Sequence, residues 1–219
     1  MLMEANQNSR TSQDSNIILP LDTTEVAKLI KKYNQLNSPI EIIGSGSKRN
    51  IGKPLQCSTT IGLSNLKGII DYKPEELFIK IKAGTSLKIV EEELKKQHQF
   101  LAFDPIDFGF LFNGSSAPGT IGGVISTNLS GPRRFMSGSA RDHILGFQGV
   151  NGKGEIIKSG GNVVKNVTGY DLSKLVTGAY GTLVILTEIT LKVLPLTESN
   201  ETVVIHDLPL ENSTEILSS

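Results

Sequence analysis

Glycine gathers in three stretches of this chain, Gly44–Gly46, Gly119–Gly123 and Gly178–Gly181, each beside a short apolar run. A residue without a side chain lets backbone press against backbone or a flat ligand, so these clusters demand a fold in which strand ends and turns approach closely. The first cluster follows Ile40-Glu41-Ile42-Ile43, a predicted short strand that runs straight into Gly44-Ser45-Gly46-Ser47-Lys48. Such a loop lets successive N–H groups point at one spot, a nest suited to a pyrophosphate, with Lys48 and Arg49 adding charge. Taken alone, the same residues read first as an ordinary turn. Two familiar phosphate motifs are excluded. G-x-G-x-x-G would need glycine where Arg49 stands, and neither Gly52-Lys53-Pro54 nor Gly152-Lys153-Gly154 supplies a Walker A loop.

The second cluster lies in Pro118-Gly119-Thr120-Ile121-Gly122-Gly123-Val124-Ile125-Ser126-Thr127-Asn128. It suits a backbone laid against a flat ligand, with hydroxyl and amide side chains as partners, and equally a helix start packed tightly under a loop. The third comprises Gly169-Tyr170-Asp171-Leu172 and Gly178-Ala179-Tyr180-Gly181-Thr182-Leu183, followed by Val184-Ile185-Leu186-Thr187. A buried strand beside a glycine turn can offer backbone groups to a heterocycle.

Between the clusters the pattern alternates helix and strand. Val26, Leu29, Ile30 and Tyr33 mark one face of a helix capped by Thr23 or Thr24. Strands are expected at Thr59–Ile61, Gly68–Asp71 and Phe78–Lys82, and Leu87, Val90 and Leu94 give the next helix its apolar stripe. Gly109 to Gly138 reads as an ordered loop leading into one helical turn. A hairpin follows, Ile144–Val150 and Glu155–Lys158, with Asn151-Gly152 as its positive-φ turn. A short helix at Tyr170–Val176, a long strand at Leu183–Val193 and a last strand at Thr202–Ile205 complete the prediction, while residues 1–20 read as a disordered arm.

Composition narrows the function classes. The 219 residues carry 22 basic and 22 acidic side chains, so no basic excess points to nucleic acid. The lone Cys57 excludes an internal disulfide framework, lacks the neighbours of a zinc site and reads as a buried inert thiol. No metal site is expected. The polar N-terminus lacks the apolar run of a signal peptide, and no stretch approaches the roughly 20 apolar residues of a membrane span. The expected location is the cytoplasm, which leaves room for peripheral membrane attachment through partners.

The order of the strand–GSGSK loop, PGTIGGVISTN, SGPRR, GSARDHILGFQGVNGKGE, KNVTGYDLSKL and GAYGTLVILTEITLKVLP resembles the PCMH-type FAD-binding domain of the vanillyl-alcohol-oxidase superfamily. Within it, SGPRR, RDHILGF and KNVTGYDLSKLVTGAYG are similar to the FAD-binding subunits of bacterial glycolate oxidases, and the likeness runs from about residue 20 to 197. It implies an α+β fold of two lobes, a small α/β lobe at about 21–84 and a larger mixed-sheet lobe with flanking helices at about 85–197. Residues 198–219 then read as the start of a truncated C-terminal region. It implies FAD as cofactor, with Gly44, Ser45, Gly46, Ser47 and Lys48 as the pyrophosphate loop and Gly119, Thr120, Gly122 and Gly123 as a second flavin-contacting loop. Ile185 falls where the family's final strand meets the cofactor through its backbone. Families with covalent flavin carry histidine at the pyrophosphate loop; Ser47-Lys48 stand here, so non-covalent FAD is implied. Val184 replaces the glycine usual in the family's G-x-L-G-I-x-T-E pattern, which implies crowding on the adenine side.

Oxidation of a 2-hydroxy acid needs a base for the hydroxyl proton and a cation for the carboxylate. His143 beside Arg141 and Asp142 reads as a structural trio at a helix end, and Arg133-Arg134 equally as surface cations or as an anion clamp. Tyr170 and Tyr180 read as core tyrosines, and Glu91-Glu92-Glu93 as a solvated helix face. No side chain earns a catalytic assignment. The resemblance leaves three readings: an FAD-binding component of a glycolate oxidoreductase complex with other subunits as partners, a non-catalytic FAD carrier or scaffold whose partner chain performs the oxidation, and a different enzyme of the superfamily.

Overall fold

The computed structural model describes residues 16–49, 51–53, 55–106, 119–161, 169–207, 209 and 213–214. The readings placed on 1–15, on the glycine-rich segment 107–118 and on 162–168 lie outside these residues.

The chain opens with β1 (Asn16–Ile18), α1 (Thr23–Gln35), β2 (Ile40–Ile43) and β3 (Thr59–Gly62). These form a parallel sheet in the order β1-β3-β2. Part of the expected disordered arm is therefore a strand, because Asn16–Ile18 finds a free edge on β3. Helix α1 is capped by Asp22 rather than by Thr23 or Thr24: the Asp22 carboxylate accepts from the Glu25 N–H at 2.8 Å. The Thr23 hydroxyl instead donates to Thr187 at 3.0 Å and accepts from Gln148 at 3.1 Å, fastening the helix start to the other lobe.

Next come β4 (Ile69–Lys73), β5 (Phe78–Lys82), α2 (Leu87–Lys96), β6 (Gln99–Phe100), α3 (Ile121–Thr127), α4 (Arg134–Ser137) and α5 (Ala140–His143). The chain continues through β7 (Ile144–Asn151), β8 (Ile156–Gly160), α6 (Leu172–Val176), β9 (Val184–Lys192) and β10 (Leu194–Pro195). Strands β4-β5-β9-β7-β8 form the larger sheet, and β6 pairs with β10. The expected fold class, α+β with two lobes, holds. The larger sheet, expected as mixed, is antiparallel at every pairing. The lobe boundary also moves: β5 pairs with β9, so the division falls between Gly62 and Ile69 rather than at residue 84.

Strand β9 holds the two lobes together through the alternation of a pleated strand. Val184 and Leu186 enter the main core with Ile79, Ile81, Leu94 and Ile125, under α2 and α3. Ile185, between them, joins Val150 in a second core against Val26, Ile30 and Ile61 of the small lobe. The stripe Leu87, Val90, Leu94 is buried as its spacing predicts.

Two local readings change. The β7–β8 turn places positive φ at Gly154 (77°), while the Asn151 side chain accepts from the Lys153 and Glu155 amides. This is the longer hairpin loop ending in a left-handed glycine. Thr202–Ile205 pairs with no strand among the described residues, and Val203 and Val204 stand exposed.

The junction between β5 and α2 is packed on bare backbone. Gly84 donates to the Leu66 carbonyl at 2.8 Å, and a Cβ on Gly84 would collide with the Leu63 carbonyl. Gly84→Ala is expected to destabilise the fold by about 2 kcal/mol or more, read as a lower midpoint in denaturant unfolding; an unchanged midpoint contradicts this packing.

Candidate functional site

The ends of β2, α3 and the start of β9 converge on an open cleft of about 1220 Å³. That is large for a drug-sized ligand and suits a dinucleotide.

The first wall is the loop after β2. Gly46 lies at φ 77°, a conformation that L side chains rarely adopt, and the loop closes through the Arg49 N–H to the Gly46 carbonyl at 3.1 Å. Among the described residues the amides of Ser45, Gly46 and Ser47 have no acceptor, although Ser47 is buried. A buried amide without a partner is costly, as at Ser47, while Ser45 is exposed and Gly46 half-buried, so the turn leaves three donors available to a ligand. Beneath it the Glu41 carboxylate is buried and takes a fork from Arg49, Nε to Oε1 at 2.8 Å and Nη2 to Oε2 at 2.6 Å, with the Thr60 hydroxyl donating to Oε2 at 3.0 Å.

The second wall is Gly119–Gly123. Thr120 caps α3, its Oγ1 accepting from the Gly123 amide at 3.3 Å. Bonds from Leu87 N–H to Gly119 O and from Ile121 N–H to Thr85 O fix this segment to the β5–α2 connection. The two walls touch: Gly44 backs onto Thr120 with no room for a Cβ, and the Lys48 ammonium lies 3.1 Å from where Gly119 would carry one. The third wall is Tyr180–Leu183 with Ile185, held by the Tyr180 N–H donating to the Ser126 carbonyl at 2.8 Å.

The structure thus brings Gly44, Ser45, Gly46, Ser47, Lys48, Thr120, Gly122, Gly123 and Ile185 to one cleft, with Gly119 directly behind Lys48. Val184 does not crowd it. Its side chain is turned into the core over Gly149, where the missing Cβ makes room. Cys57, expected to be buried, is half-buried on the cleft wall; burial first, then the Glu41 charge, pushes its thiol up, so it stays protonated at neutral pH.

The catalytic candidates lie elsewhere. His143 is buried against Phe103, its Nε2–H donating to the Ser137 carbonyl at 2.8 Å, which is a packing role. Asp142 closes a capping box on Ser139, whose backbone N–H and then hydroxyl hold its carboxyl below the ordinary value. Arg133 stacks on Phe100 at 4.8 Å, Tyr170 is almost fully exposed rather than in the core, and Tyr180 stands at the cleft rim. Sequence reasoning missed Glu41; the signal was a carboxylate inside the apolar strand Ile-Glu-Ile-Ile with a cation just past the loop.

A sequence profile described as FAD binding domain matches residues 15–160. The chain belongs to this FAD-binding domain family. FAD is its cofactor, and the residues present fit it: donor amides without acceptors, a bare-backbone cradle and a cleft of the right size. The chain is 41% identical over 170 residues to glycolate oxidase subunit GlcE of Escherichia coli K12, covering 76% of this chain and 46% of that protein. It is 32% identical to D-lactate dehydrogenase of Anaerostipes hadrus over 90% of this chain and 39% of that one. It is 29% identical to glycolate oxidase subunit GlcD of Bacillus subtilis over 87% and 39%. The chain spans less than half the length of each of these relatives. Among solved structures, alkyldihydroxyacetonephosphate synthase shares the fold, with a TM-score of 0.68 at 24% identity over 84% of this chain and 32% of that one.

Two measurements check this geometry. Gly44→Ala lowers stability, and adding Thr120→Ala recovers part of the loss by opening space, a coupling of about 0.5–3 kcal/mol in a double-mutant cycle; strict additivity would mean the walls do not touch. Asp142 has a depressed folded pKa, so its contribution is present above the ordinary Asp value of 3.8 and lost as pH falls through the folded value. Asp142→Ala is therefore less stable than the parent at pH 7, and thermal melts show that gap closing below pH 3.8.

Proposed function

We propose that this chain holds FAD non-covalently as the FAD-binding component of a 2-hydroxy-acid oxidoreductase complex of the glycolate oxidase type. The observation that carries the reading is the meeting of three glycine-rich segments on one cleft whose loop amides lack acceptors. In this reading the Ser45, Gly46 and Ser47 amides and the Lys48 ammonium hold the pyrophosphate, Gly119–Gly123 lets the backbone close on the cofactor, and Ile185 offers main-chain groups from β9. Bound FAD supplies a two-electron acceptor for the carbon that bears the substrate hydroxyl. The chain's own part is to bind and orient that acceptor and to shield one side of it from water.

The names of the relatives, glycolate oxidase subunits GlcE and GlcD, support placing the chain among the other subunits of such a complex. A cytoplasmic location, with any membrane attachment made through those partners, fits this reading; among the described residues no helix is long and apolar enough to cross a membrane. One observation favours the alternative, an FAD-carrying or scaffolding subunit whose partner chain performs the oxidation. Among the described residues, Glu41 is the one carboxylate lining the cleft, and it is engaged by Arg49 and Thr60, so no carboxylate there is free to take the hydroxyl proton.

The purified chain should be yellow and release its pigment on acid precipitation, and FAD added to the stripped protein should raise its melting temperature. A colourless chain whose melting is indifferent to FAD would remove the cofactor assignment. Glycolate turnover by the isolated chain with an artificial acceptor would favour the catalytic reading, and turnover only after a partner chain is added would favour the carrier.

A further inference from the structure

The loop after β2 is closed by a device separate from the amides that face the cleft. Glu41 sits on β2 before the loop and Arg49 directly after it. The Glu41 side chain is 9% exposed and that of Arg49 44%. Glu41 is fixed from below by Thr60, itself fully buried on β3, and takes both prongs of the Arg49 guanidinium. On its way the Arg49 side chain crosses the loop: its Cδ lies 3.4 Å from where Gly46 would carry a Cβ. A planar fork on a carboxylate fixes direction as well as distance, which a lysine in the same place does not.

We propose that Glu41 and Arg49 form a clasp that presets the pyrophosphate loop, making both positioning residues for FAD. This rests on the reading that the pyrophosphate lies on the Ser45–Ser47 amides. With the clasp shut, the loop already holds the donating shape before ligand arrives, and the ordering cost is met in folding rather than in binding. With it open, the loop samples other turns, and apparent affinity falls by the fraction of time the donating shape is lost.

Electrostatics alone gives the opposite sign for one substitution, which makes the clasp testable. Glu41→Gln removes a negative charge close to the diphosphate site; simple charge attraction then requires tighter FAD binding, whereas a broken clasp requires weaker. Arg49→Lys keeps the positive charge and loses the fork. We expect each to raise the FAD dissociation constant about tenfold, as for a donating loop present about a tenth of the time. Affinity is read by flavin fluorescence titration of the full chain at a temperature where circular dichroism shows every variant folded. Glu41→Leu/Arg49→Met, which removes both charges and leaves no buried carboxylate unpaired, covers the case of a single variant that folds poorly; its dissociation constant should also be raised while the chain is folded.

Unchanged or tighter binding in folded Glu41→Gln, or parental affinity in the folded double variant, overturns the clasp. Gly46→Val separates this failure from that of the underlying reading, since a β-branched side chain does not hold φ 77°. If Gly46→Val abolishes FAD binding while the clasp variants leave it intact, the clasp alone falls. If Gly46→Val leaves affinity unchanged, the placing of the pyrophosphate falls, and the clasp with it.

Discussion

The contact on which the cleft depends is the one between Gly44 and Thr120, where the end of a parallel strand backs onto the cap of a short helix with no space for a methyl group. Each side fixes the other. The Thr120 hydroxyl is committed to the Gly123 amide, so it cannot swing away from Gly44, and Gly122 in the next turn donates to the Ala83 carbonyl. Small lobe, helix α3 and the β5–α2 connection are thereby locked at one spot, and the Ser45–Ser47 amides inherit their direction from that lock. A binding surface of this kind is built from main chain, which substitution alters only through the shape of the backbone.

Side chains that do enter the cleft are mostly there to hold something. Glu41 holds Arg49, and the Lys48 ammonium lies against Gly119 of the second wall. His143 and Asp142, the polar pair that catches the eye in the sequence, serve the ends of α4 and α5. The division of labour is that of a cofactor holder: main-chain donors at the loop, with Glu41 and Asp142 bound into structure.

Much of this was legible in the sequence, because the signals were local. The strand before the first glycine loop, the stripe of α2 and the length of β9 follow from apolar spacing, and nine of the ten residues assigned from the family motifs line one cleft, with Gly119 against Lys48. What escaped depended on pairing at a distance. Nothing near Phe78–Lys82 says that its neighbour is β9, so the lobe boundary fell too late in the chain. Nothing near Asn16–Ile18 says that β3 has an open edge for it. Asp22 took the cap from Thr23 because the Thr23 hydroxyl is claimed by Thr187 of the other lobe. Gly154 rather than Gly152 carries the hairpin's positive φ because the Asn151 side chain sets a longer turn. The clasp needed two residues on opposite sides of a loop to be seen as one object.

The place of β9 in the sheet also sets an order of events. It lies between β5 and β7 in space yet is the last of the five strands to be synthesised, and its Ile185 completes the core beneath the cleft. Closing β5 against it joins residues about a hundred positions apart, a slow step by the standards of local structure. The third wall of the cleft exists only once that closure is made. A chain that stops before Val184 therefore lacks both Ile185 beneath the cleft and the strand that follows its third wall.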